Sequence, residues 1–282
     1  MKSKLFLAWA AVTVGLLAYG TYQGLAVAPT EATMGDAQRI FYYHVPAAAT
    51  GFSLFILNCI ASIIYLWKRP AWADALAVTG AEAGLVFFGV VLATGPIWAR
   101  YAWGKWWVWD ARLLSSLILW LLYLSYLVLR RSTDAGSTNV LAACLAIFAS
   151  IDMPIVYMSN RWFRTNHPQP VFNDIDPRMG RAMMWNMFAF LAFGILIAWF
   201  RYDLERMAQR ISSAFIARTT RAHLSIIMLP AVFLFAGTFR ATPRTYLAGA
   251  YIVVWTIYIS YVLYLMNKRR RLKREEAEMC VG

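Results

Sequence analysis

The chain is poor in charge, in acidic residues and in cysteine, and it holds only three histidines. Charged side chains make up 15% of its 282 residues, against 61% apolar ones. That balance excludes an ordinary soluble globular domain, in which about a quarter of the residues are charged. The three cysteines, Cys59, Cys144 and Cys280, stand far apart. No two have the spacing of a disulfide framework, a zinc site or a C-x-x-C-H attachment site. The sequence also lacks an internal repeat or a matched pair of Gly/Pro-broken helices, features common in solute carriers.

What the chain does have is long apolar runs. A helix of about 17 to 25 such residues crosses roughly 30 Å of hydrocarbon. Eight runs qualify, at 5–24, 41–67, 75–97, 112–129, 139–158, 182–200, 224–239 and 247–266. The seventh is the shortest and contains Pro230. The expected fold is all-α, a polytopic transmembrane helical bundle with a six-span core over 1–200 and about two more spans within 223–282. The first run could pass for a secretory signal, since Lys2 and Lys4 precede it and Ala26, Val27 and Ala28 follow it. Its length, and Pro29 directly after the triplet, favour an uncleaved span.

Basic residues set the expected orientation. With the N-terminus inside, 17 of the 27 basic residues fall on inner segments, among them five arginines between 201 and 221 and six basic residues between 268 and 274. That is the positive-inside bias, so both termini are expected inside. The net charge of +13 then reflects topology and anionic lipid, and requires no nucleic acid. Between 201 and 222, Leu204, Met207, Ile211 and Phe215 share a helical face, as in an amphipathic segment lying in the inner interface or docked on a partner.

Tryptophan is the other excess. Of thirteen, four (Trp103, Trp106, Trp107 and Trp109) fall between two apolar runs, inside an outer segment spanning 98–112. Coiled as a helix, Trp103, Trp106, Trp107 and Asp110 would recur on one face as an aromatic shelf edged by a carboxylate. An interfacial aromatic belt is the alternative. Two of the three histidines fall on the same outer side: His44 near the outer end of the second span, and His167 in a Pro- and Asn-rich loop where Pro168 disfavours helix. Each is open to a plainer role, as an interfacial or a solvated side chain. His223 belongs to the inner side. Glu82 and Asp152 lie within spans, where a carboxylate needs a partner or water.

The string WGKWWVWDARLLSSLILW resembles the tryptophan-rich WWD signature of heme-handling membrane proteins that serve cytochrome c maturation. Its ending, WDARL, is similar to the CcmC family, whereas the CcmF and CcsA relatives continue as WDPKE. FYYHVPAA resembles the CcmC segment that carries an axial heme ligand. The resemblance spans roughly residues 35 to 200. From about 245, the single span and basic tail are similar to CcmD, a one-span partner of the same pathway.

The resemblance implies a protein for binding and transfer rather than turnover, in the bacterial inner membrane with its site facing the periplasm. It implies non-covalent heme b on two axial ligands, His44 and His167. The platform would be Trp103, Trp106, Trp107, Trp109 and Asp110, and the propionate partners would come from Arg100, Arg112, Arg161, Arg164, Arg178 and Arg181. The implied partners are a periplasmic CcmE-like chaperone, a CcmA/CcmB-like ABC transporter, and the CcmD-like segment in cis. The alternatives are a CcsA-type cytochrome c synthase component, or a solute transporter working through Glu82 and Asp152.

Overall fold

A computed structural model describes residues 2–132, 137–168, 175–215 and 242–281. The described residues fold into eight α-helices: α1 (Lys2–Tyr22), α2 (Phe41–Lys68), α3 (Ala71–Trp103), α4 (Ala111–Ser132), α5 (Ser137–Ser150), α6 (Asp152–Trp162), α7 (Pro177–Phe215) and α8 (Pro243–Val281). A π-helical stretch, Gln23–Val27, prolongs α1, and a 3-10 turn, Asp36–Ile40, leads into α2. Among the described residues, seven helical stretches are long and apolar enough to cross a membrane, with α5 and α6 together making one of them. The expected all-α membrane bundle is met. The expected crossing at 224–239 and His223 lie outside the described residues.

The chain breaks between α5 and α6 at Ile151. Pro154 has no N–H to give the Ser150 carbonyl one turn back, so the helical ladder is interrupted there.

α3 is the central helix, with 78% of its apolar window buried. Its small residues explain why α2 lies so close. A Cβ at Gly80 would stand 2.6 Å from the Leu54 carbonyl oxygen and 2.8 Å from the Asn58 nitrogen, so only glycine admits the α2 backbone there. On one side of α3, Phe55 of α2 stacks on Tyr123 of α4 with ring centroids 3.8 Å apart. On the other, Phe87 meets Phe193 of α7 and Tyr258 of α8.

Ion pairs fix both ends of the bundle. At the end opposite His44, Arg130 grips Asp74 through two nitrogens at 2.6 and 2.9 Å, and Gln209 reaches the same carboxylate. Deeper in, Arg201 Nε lies 2.9 Å from Glu82 Oε1, and the Tyr261 hydroxyl of α8 donates to that oxygen at 3.1 Å. At the His44 end, Arg244 at the start of α8 pairs with Asp36 at 3.0 Å. α8 therefore runs the full length of the core and belongs to it.

Two expectations are corrected. Residues 201–215 continue α7 without a break, and Leu204 and Ile211 join Leu265 and Leu272 of α8 in one buried cluster. Arg201 reads as a span boundary in the sequence, but Glu82 neutralises it inside the bundle. Residues 103–110 do not form a helix either. α3 ends at Trp103, Gly104 turns left-handed at φ 71°, and the chain stays irregular until Ala111. Glycine adopts that conformation without steric cost, and it is a common helix stop.

Candidate functional site

Between α2, α3 and α4, at the end where α2 begins, lies a cavity of about 890 Å³ counting its open mouth. One helical face of α2 supplies Phe41, His44, Val45, Ala48 and Phe52, and one face of α3 supplies Phe88, Val91, Leu92, Gly95 and Trp98. Trp103, Trp107, Arg112, Leu113, Ser116, Val156 and His167 add to the wall. Two histidines from separate segments thus face one apolar, aromatic space.

Each imidazole is held through Nδ1. His44 Nδ1 lies 2.8 Å from Thr94 Oγ1, whose own proton goes to the Val90 carbonyl at 2.8 Å. The hydroxyl has a single proton, so it accepts from His44, and Nδ1 carries hydrogen. His167 Nδ1 lies 3.0 Å from the Pro168 carbonyl oxygen, which can only accept. Both neutral rings therefore keep the unprotonated nitrogen at Nε2. For His167, burial holds the imidazole pKa below its ordinary value of 6.5, with the Arg112 cation adding to the shift. The Pro168 carbonyl and Asp110 work in the opposite direction. The result is a neutral imidazole at pH 7.

Asp110 organises the rim. Its Oδ1 accepts the Leu113 N–H, capping α4, and its Oδ2 accepts the Asn166 N–H in the His167 loop, both at 3.0 Å. The carboxylate thus binds backbone on both sides. Arg112 Nη1 is held by the Val156 and Tyr157 carbonyls of α6 at 2.8 and 3.1 Å.

The remaining residues expected at the site separate into two groups. Trp103 and Trp107 line the cavity. Trp106 lies outside the lining beneath the Arg100 guanidinium, 6.0 Å from the ring centroid, and Trp109 is 74% exposed with an edge on Trp107. Of the arginines, Arg112 alone lines the cavity. Arg100 donates to the Gly104 carbonyl, Arg161 lies over Tyr157, Arg178 pairs with Asp176, and Arg164 and Arg181 are exposed.

Two residues escape the sequence reading. Trp98 forms the floor between Phe41 and Trp103, with centroids 5.2 Å from each. Its indole N–H and that of Trp107 are buried without a hydrogen-bond partner. Buried donors left unpaired are rare, and each calls for a ligand or water to accept from it. Thr94 is the other. Its only sequence signal is a hydroxyl one residue before Gly95 in an apolar run.

Helical spans around a cavity lined by two imidazoles and indoles define a polytopic membrane protein with a candidate cofactor site. The family model described as CcmC, heme exporter protein C, matches residues 1–224. The chain belongs to that family. It is 34% identical over 193 residues to the heme exporter protein C of Escherichia coli (strain K12), covering 66% of this chain and 78% of that one. It is 40% identical over 160 residues to the protein of that name from Bradyrhizobium diazoefficiens, covering 56% of this chain and 60% of the relative. The Haemophilus influenzae relative is 32% identical over 207 residues, 71% of this chain and 84% of its own.

Proposed function

We propose that the chain holds heme b non-covalently at the periplasmic face of the bacterial inner membrane and hands it to a CcmE-like chaperone during cytochrome c maturation. The observation that carries this reading is the pair His44 and His167. They line one aromatic cavity from separate segments, each with Nε2 as its unprotonated nitrogen. Heme supplies an iron that accepts two axial nitrogens, an apolar macrocycle and two propionates.

The residues present suit all three parts. His44 and His167 would ligate the iron. Trp98, Trp103 and Trp107 would cover the ring, and the unpaired indole N–H groups of Trp98 and Trp107, with Arg112, would meet its polar edge. Trp106, Trp109 and the outer arginines Arg100, Arg161, Arg164, Arg178 and Arg181 stand outside the lining, where an incoming chaperone would meet them.

A CcmA/CcmB-like ABC transporter would act on the loaded chaperone. α8 would serve as a CcmD-like partner fused in cis, its start tied to Asp36 and its middle to Glu82. The solute-transport alternative loses one of its supports, because Glu82 is held by Arg201 and Tyr261.

The test is an absorption spectrum of detergent-purified protein beside His44→Ala and His167→Ala. A Soret band altered in each variant supports the assignment. Wild-type spectra from both would overturn it.

A further inference from the structure

Thr94 is fully buried on α3, and its hydroxyl stands between a helix carbonyl and the candidate iron ligand on α2. Within helices, threonine hydroxyls often bond back to the carbonyl four residues earlier. Thr13 and Thr79 of this chain do the same, to Trp9 and Ala75. At Thr94 that back bond has a second effect. It commits the hydroxyl proton to Val90 and leaves only lone pairs for His44. The ring must then donate from Nδ1, and Nε2 remains as its one nitrogen able to bind a metal.

The next residue reinforces the arrangement. A Cβ on Gly95 would come within 3.6 Å of His44 Cε1, so the imidazole lies close over the α3 backbone beside the hydroxyl. Ring rotation about Cβ–Cγ is therefore opposed by a hydrogen bond on one edge and by the helix surface below.

We propose that Thr94 is a positioning residue for heme: it fixes the tautomer and rotation of His44 and, by accepting the Nδ1 proton, raises the electron donation of Nε2 to iron. The inference rests on the heme reading above. Outer partners of ligating histidines act in this way, and losing one typically costs about 10–100-fold in metal affinity.

The variants are Thr94→Val, which keeps the shape but removes the acceptor, and Thr94→Ser, which keeps the acceptor. In heme-free protein labelled with 15N-histidine, His44 should be the Nδ1–H tautomer in wild type and Thr94→Ser, and a mixture in Thr94→Val. In heme-loaded protein, Thr94→Val should release heme about 10–100-fold more readily. Its reduction potential should rise, because a less electron-rich imidazole favours ferrous iron, while Thr94→Ser returns both to the wild-type values. An unchanged tautomer and potential in Thr94→Val overturns the proposal, as does a Thr94→Ser variant that behaves like valine. An affinity loss without a shift in potential also overturns it, since packing alone would explain that result. If wild-type protein shows no His44-dependent heme spectrum, the underlying reading fails first. If that spectrum is present and Thr94→Val leaves it unmoved, only the role of Thr94 fails.

Discussion

Asp110 joins two segments that are distant in sequence. One carboxylate oxygen accepts the Asn166 N–H while the other caps α4 at Leu113, so the loop carrying His167 hangs from the start of α4. Asp110→Ala should strip both bonds, lowering helix stability by about 1 kcal/mol and freeing the loop. Hydrogen exchange should quicken across 163–168, and bound heme should be lost more readily. Asp110→Asn keeps an acceptor and should fall between alanine and wild type.

The close approach of α2 to α3 makes a paired prediction possible. Gly80→Ala would force a methyl group to 2.6 Å from the Leu54 carbonyl oxygen, and backbone cannot give way as a side chain can. Overpacking of this kind costs about 1–3 kcal/mol, so the melting temperature in detergent should fall. Gly15→Ala meets nothing within 4 Å and should leave it unchanged or raise it, because alanine favours the helix.

The sign of the His167 shift gives a pH dependence. Its pKa in the folded protein lies below 6.5, so a displaced loop binds protons more readily than a docked one once the pH drops under that value. The docked loop keeps its full stability above pH 6.5 and loses it as the pH falls from there towards the lowered pKa. Heme absorbance should therefore hold steady from neutral pH to about 6.5 and decline on further acidification. Arg112→Gln removes a cation that disfavours protonation and brings the docked pKa closer to 6.5, so the decline should still begin near that pH but be shallower.

Much of this was legible in the residues, and what was not has physical causes. Apolar runs located the spans because lipid leaves the chain few other choices. His44 and His167 are paired in the sequence by their common side and by the resemblance to CcmC, and both line one cavity. The aromatic shelf differs from the helical expectation because a left-handed turn at Gly104 resets the spacing, leaving Trp103 and Trp107 inside and Trp106 and Trp109 outside. Trp98 lay hidden in a span that reads as ordinary membrane helix. The pairing of Arg201 with Glu82 was invisible because nothing local marks a partner so far along the chain. The same pairing moved the apparent end of α7.

That pairing supplies the last prediction. Arg201 is 2% exposed and faces Glu82 on one side and Glu205 on the other, at 2.9 and 2.8 Å. Removing Glu82 takes one of two carboxylates from a buried cation and leaves Glu205 as its partner, so Glu82→Ala should destabilise the bundle by less than the roughly 3–5 kcal/mol of a fully stranded charge. Replacing both groups with apolar side chains of similar size removes the stranded charge along with the attraction. Glu82→Leu with Arg201→Met should therefore recover part of the loss, the remainder reflecting Glu205, which then keeps only the Lys268 charge nearby. Tyr261→Phe deletes only one hydrogen bond from α8 and should cost about 1 kcal/mol. Thermal denaturation of the four proteins in one detergent provides the measurement. A double variant as unstable as Glu82→Ala would mean that the charges serve something other than each other.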